Sequence, residues 1–300
     1  PSLRIDPSGN PVVAFMDSSL GGKAVVMRWT GSNWGTVGTN GVSDGAANYP
    51  SLALDANNDP VVAYTDVLSG YRPMVRRWTG SVWVAIGEAA MPPGDCFNTQ
   101  LQLDINGDPV IAYLNSEYEG SMISVSRWNG MSWVAFDDSP GFSTGMASSY
   151  RGFVLDSEGN PIVLFRDGAF GRRATAMRWT GSEWTILGAS GFSVGQADFL
   201  YAAYDTVNAR LFAAYRDNAN GQRTTVMRWD GTGWGVVGTT GFSAGVADYP
   251  CLALTANGDP LVAYRDASTG YKATVMRWDG ANWSTVGNAG FTTGGAEEMC

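Results

Sequence analysis

Six stretches of this 300-residue chain end an apolar run on an aspartate or asparagine, at Asp17, Asp66, Asn115, Asp167, Asp217 and Asp266. An aromatic residue stands two positions earlier in each, and in three the residue between is arginine: Arg166, Arg216 and Arg265. Guanidinium groups grip carboxylates and hydroxyls through a planar fork. Tyrosine offers an apolar ring with a polar tip, and aspartate accepts hydrogen bonds or serves as an acid. The residues that follow differ most between stretches: Lys23, Tyr71, Tyr118, Phe170, Arg172, Gln222 and Tyr271 among them. Variable side chains on a repeated scaffold are how loops acquire binding function. The candidate ligand-binding residues are therefore Tyr71, Tyr118, Arg166, Asp167, Arg216, Asp217, Arg265, Asp266 and Tyr271. For the aspartates the competing role is structural: capping the turn and pairing with an arginine of a neighbouring unit.

The chain has no histidine, which excludes imidazole as base, proton shuttle or metal ligand, and with it a serine–histidine–aspartate triad. With three cysteines besides, the common zinc sites are excluded too. The turns from Asp55 to Asp59 and from Asp104 to Asp108 carry the Asp-x-Asn-x-Asp opening of a calcium loop. Their sixth positions are Pro60 and Pro109 where that loop needs glycine, so hairpin turns rich in Asp and Asn explain them without metal. No metal and no cofactor are expected.

Arg-Trp-x-Gly-x-x-Trp occurs six times, beginning at Arg28, Arg77, Arg127, Arg178, Arg228 and Arg277, and uses all twelve tryptophans. One role for it is an aromatic sugar platform. The other is packing, with two tryptophans facing each other across a tight turn and arginine lying on a ring. Sixfold sameness favours packing.

These motifs mark units of about 1–49, 50–98, 99–150, 151–199, 200–249 and 250–300. A period near 50 residues belongs to propellers and related arrays. Each unit has four apolar runs separated by turn residues, and none has sustained 3.6-residue periodicity. The fold expected is all-β: one six-bladed β-propeller domain, four antiparallel strands (A to D) per blade, with essentially no helix. Alternating strand direction puts the B–C and D–A loops on one face. Blade 6 is expected to close against blade 1.

The order of strand, Asp-x-x-Gly turn and apolar strand ending in Asp, as from Asp55 to Asp66, resembles the six-bladed propeller repeats of the NHL kind. The tryptophan motif resembles repeats of large secreted microbial surface proteins. Both resemblances imply fold rather than activity. The arginines over tyrosine and aspartate resemble sialidases, which would imply a tyrosine nucleophile and an aspartate acid. Their Ser-x-Asp-x-Gly-x-x-Trp turn is missing here, with Trp29 and its equivalents in place of the aspartate.

The net charge of −9, with lysine and arginine dispersed, gives no footprint for nucleic acid and fits a soluble surface. No apolar run is long enough to span a membrane. Cys96, Cys251 and Cys300 leave the disulfide pairing open. Asn282 opens the one Asn-x-Ser sequon, a candidate glycosylation site. The expected function is a non-catalytic, extracellular or cell-surface binding or assembly module of a larger secreted protein, with a glycan or other protein chains as partner. The alternatives are a purely structural block of a surface filament, or a sialidase-like glycan-cleaving enzyme.

Overall fold

The computed structural model describes residues 1–39, 41–87, 95–116, 122–136, 141–143 and 147–297. The fold is a six-bladed β-propeller, each blade a four-stranded antiparallel sheet in the order A-B-C-D. The chain divides into two units, Pro1–Ser143 with blades 1 to 3 and Thr144–Cys300 with blades 4 to 6. Among the described residues helix is confined to three-residue 3₁₀ turns, such as Ser18–Leu20 and Asn218–Asn220.

Strands B and C are typically seven residues long, as in Pro60–Asp66 and Arg72–Trp78, whereas D has three, as in Trp83–Ala85. Strand A begins earlier than its alternating pattern suggests, at Ala47 in blade 2 and Ala197 in blade 5. A bulge absorbs the extra residues. The register of A on B shifts between Asn48 and Ser51, and again between Asp198 and Tyr201. At the bulge Tyr49, Asn98, Phe199 and Tyr249 have φ of 52–53°, where a side chain is strained.

Strand B is apolar throughout because it is buried on both sides. In blade 2, Val61 and Ala63 join a core shared with blade 3, and Val62 and Tyr64 one shared with blade 1. Blade 5 repeats the division, with Leu211 and Ala213 towards blade 4 and Phe212 and Ala214 towards blade 6. Full burial of such side chains contributes about 1.5–3 kcal/mol for each Val, Leu or Phe. No isolated blade could bury both faces, which is why the unit repeats. First strands of neighbouring blades lie side by side: Ser51 Oγ accepts the Leu101 amide at 3.0 Å, and Tyr150 and Arg151 pair in parallel with Leu200 and Tyr201.

The tryptophan motif holds blade to blade. The two rings of each copy meet across the C–D turn with centroids 5.5–5.8 Å apart. The second also donates its Nε1–H to the preceding blade: Trp83 to Val37, Trp133 to Ile86, Trp234 to Leu187 and Trp283 to Val237, at 2.8–3.0 Å. A glycine follows each of those acceptors. A Cβ on Gly238, whose φ is +76°, would stand 2.5 Å from the Trp278 ring, so ring and backbone are in contact. Five of the motif's arginines, all but Arg228, reach A–B turns. Arg28 and Arg77 donate to the carbonyls of Asn58 and Gly107, and Arg178 pairs with Asp156 at 2.6 Å. Those turns are closed locally, Asp55 Oδ1 accepting the Asn57 and Asp59 amides and Asp104 Oδ1 those of Asn106 and Asp108.

Cys251 is disulfide-bonded and Cys96 is buried. Asn282 is exposed in its C–D turn, its backbone N–H on Asp279. No helix among the described residues is long and apolar enough to cross a membrane.

Candidate functional site

Strand B ends on an aspartate because the chain must reverse there. Asp167, Asp217 and Asp266 are buried, at 0–1% exposure. One oxygen of each accepts an amide of the 3₁₀ turn, from Ala169, Ala219 and Ser268. The other accepts a strand-C hydroxyl, from Thr175, Thr225 and Thr274. These three carboxylates therefore lie beneath the loop and hold it.

The turn ends on two successive left-handed residues. The first is glycine; the second is Gly22, Tyr71, Arg172, Gln222 or Tyr271, with φ of 59–80°. In Gly22, Arg172, Gln222 and Tyr271 that second residue is gripped at both ends of its peptide. Its N–H returns to the strand-B aspartate carbonyl, as from Gln222 to Asp217, and its own carbonyl accepts an amide where the next D–A loop ends, as Gln222 does from Ala247, the first residue of strand A in blade 6. The same D–A loop binds the other neighbouring B–C loop, with Ala267 donating to Val246. B–C and D–A loops thus interleave on one face. Five D–A loops, all but the one after blade 2, carry Gly-Phe/Val-Ser/Thr-x-Gly, a repeat not picked out from the sequence. Its hydroxyl is a latch: Ser243 Oγ accepts the Thr224 amide at 3.0 Å and donates to the Gly245 carbonyl at 2.8 Å.

In blades 4 to 6 the loop face carries an ion-pair ladder. Arg166 donates to Asp198 at 2.6 Å; Arg216 bridges Asp198 and Asp248 at 2.7 and 2.6 Å; Arg265 reaches Asp248 at 3.2 Å. Burial resists ionisation of Asp198. The hydrogen bonds from Arg216, Gln196, Asn218 and Arg166 prevail and hold it well below the usual carboxylate range. Arg216 stacks on Phe199 at 4.7 Å, Phe199 meets Tyr249 at 4.3 Å, and Arg265 lies over Tyr271 at 4.2 Å. The structure brings Arg166, Arg216, Arg265 and Tyr271 into this array. Tyr71 stands apart on the blade 2 loop, 6.4 Å from Phe97, and Tyr118 lies outside the described residues. Asp198 and Asp248 escaped sequence reading, although each stands 32 residues after its arginine.

A second site was also missed. Between blades 1 and 2 lies a cavity of about 580 Å³ lined by Lys23, Val42, Asp44, Arg76, Trp78 and Trp83. Three departures from the repeat create it. Val42 stands where other blades carry Phe192 and Phe242, which lie flat on Trp234 and Trp283 at 4.1 and 4.0 Å. Arg76 replaces the methionine of strand C, at Met227 and Met276 in blades 5 and 6, and Asp44 replaces Val194 and Ala244. Arg76 donates to Asp44 at 2.5 Å; the arginine side chain is 16% exposed and the aspartate 77%. Burial works against the Arg76 charge, but Tyr64 and Asp44 outweigh it and raise its pKa. Burial in turn pushes the Tyr64 hydroxyl up to about 12, opposed by the Arg76 charge. The cavity therefore offers a half-buried cation, an exposed carboxylate and an indole wall.

No family model and no curated protein matches this chain. Solved structures do. The fucose-specific lectin from Aleuria aurantia is 17% identical with a TM-score of 0.64, over 98% of this chain and 96% of that one. The SapL1 lectin in complex with alpha methyl fucoside is 15% identical with a TM-score of 0.61, over 97% and 96%. A protein of unknown function from Dyadobacter fermentans is 14% identical with a TM-score of 0.53, over 83% and 84%. At these identities the likeness is one of fold.

Proposed function

We propose that this chain is a non-catalytic carbohydrate-binding module whose sugar site is the cavity between blades 1 and 2. The observation that carries the reading is Val42 in place of the phenylalanine that after blades 4 and 5 caps the next blade's tryptophan. A sugar ring takes the place of that phenyl group, its apolar face on Trp83. Arg76 donates to its hydroxyls and Asp44 accepts from them, a pairing that suits two adjacent hydroxyls. A ligand lacking them would leave both groups desolvated and unmatched, which is how polar sites discriminate. The fold shared with a fucose-specific lectin and with a lectin solved with a fucoside supports this reading and makes L-fucose the first sugar to test. The disulfide at Cys251 supports an oxidising, extracellular or cell-surface setting.

Calorimetry with α-methyl-L-fucoside, preceded by a glycan array, tests the proposal. Saturable binding of some neutral glycan, weakened at least about tenfold by Arg76→Ala, is the expected result. Failure to retain any neutral glycan, or affinity indifferent to Arg76→Ala, would overturn it.

A further inference from the structure

The ladder in blades 4 to 6 follows a rule that its last member breaks. An arginine at the end of strand B takes an acid from the next repeat, 32 residues on: Arg166 with Asp198 and Arg216 with Asp248. The same offset from Arg265 leads to Glu297, which is exposed. Arg265 instead makes one 3.2 Å bond back to Asp248, a carboxylate that Arg216 already holds at 2.6 Å. Its Nη2 amine has no acceptor among the described residues, and its side chain is the most exposed of the three, 29% against 18% and 21%.

We infer that Arg265 is a carboxylate-binding site, completed by Tyr271. The guanidinium is already oriented, by Asp248 at one amine and by the Tyr271 ring 4.2 Å beneath it. Tyr271 is itself fixed in the left-handed region at φ +63° and remains 47% exposed. A ligand carboxylate takes the place that the acid of the next repeat occupies at Arg166 and Arg216, without having to break an intact ion pair. The ligand class is a sugar acid, with a carboxylate for Arg265 and a ring for the exposed Tyr271 edge. This site shares no residue with the cavity of blades 1 and 2 and does not depend on that reading.

Calorimetric titration with glucuronate, with glucose as the uncharged control, tests the inference. Glucuronate should bind one site that glucose does not occupy. Its affinity should fall at least about tenfold in Arg265→Lys, which keeps the charge and loses the fork, and also in Arg265→Ala. Arg76→Ala should leave it unchanged, separating this site from the neutral-sugar cavity. Absence of saturable glucuronate binding, equal binding of glucose, or loss in Arg76→Ala with none in Arg265→Lys would each overturn the inference. Unchanged near-ultraviolet circular dichroism shows that the variants remain folded.

Discussion

Phe242 lies on Trp283 with ring centroids 4.0 Å apart and planes 3° from parallel. The phenyl group of one blade is thus the cap on the next blade's indole, and Val42 withholds that cap from Trp83. Val42→Phe should fill the cavity. Neutral-sugar affinity should fall at least tenfold while stability rises by about 1 kcal/mol, read from calorimetry and denaturant unfolding.

The reverse exchange should build a site. Phe242→Val alone should cost about 1–3 kcal/mol and bind nothing, because Ala244 and Met276 supply neither acid nor cation. Adding Ala244→Asp and Met276→Arg should raise sugar stoichiometry from one per chain to two.

Arg216 is the middle rung of the ladder. Its removal takes one of two arginines from each of Asp198 and Asp248, which keep Arg166 and Arg265, so Arg216→Ala should cost about 1–3 kcal/mol. The acid limb of stability should follow Asp198. Its folded pKa lies below the ordinary value of 3.8, so its contribution is complete above about pH 4 and drains away as the pH falls further. Asp198→Asn should flatten that limb in melting curves taken between pH 2 and 5.

At the alkaline end the sign reverses. Tyr64 is raised from 10.0 to about 12, so its neutral hydroxyl stabilises the fold fully below pH 10 and progressively less towards pH 12. Burial raises Tyr215 and Tyr264 in the same direction. Unfolding midpoints should decline from pH 10 upwards, less steeply in Tyr64→Phe.

The blades were legible because each is written in the same tryptophans, glycines and four apolar runs. Strand A read short, since a left-handed Tyr49 or Phe199 breaks the alternation that reveals a strand. The face of the loops was legible and the roles on it only partly so. Asp167 and Arg166 are adjacent in sequence, yet one is buried under its turn and the other reaches the next blade. The cavity was hidden for a different reason. It is made by what Val42, Asp44 and Arg76 fail to repeat, and a search for sameness passes over such positions.

The residue after the loop glycine in blades 4 to 6, Arg172, Gln222 or Tyr271, is tied by both its amide and its carbonyl, as Gln222 is to Asp217 and Ala247. Its backbone is committed to assembly and its side chain to nothing that assembly requires. Identity at this position is therefore uncoupled from folding. The left-handed backbone costs on the order of 1 kcal/mol for any non-glycine residue, whichever it is. A lineage can rewrite these positions one blade at a time, and a designer can do the same, using the propeller as a display frame whose sockets are already numbered.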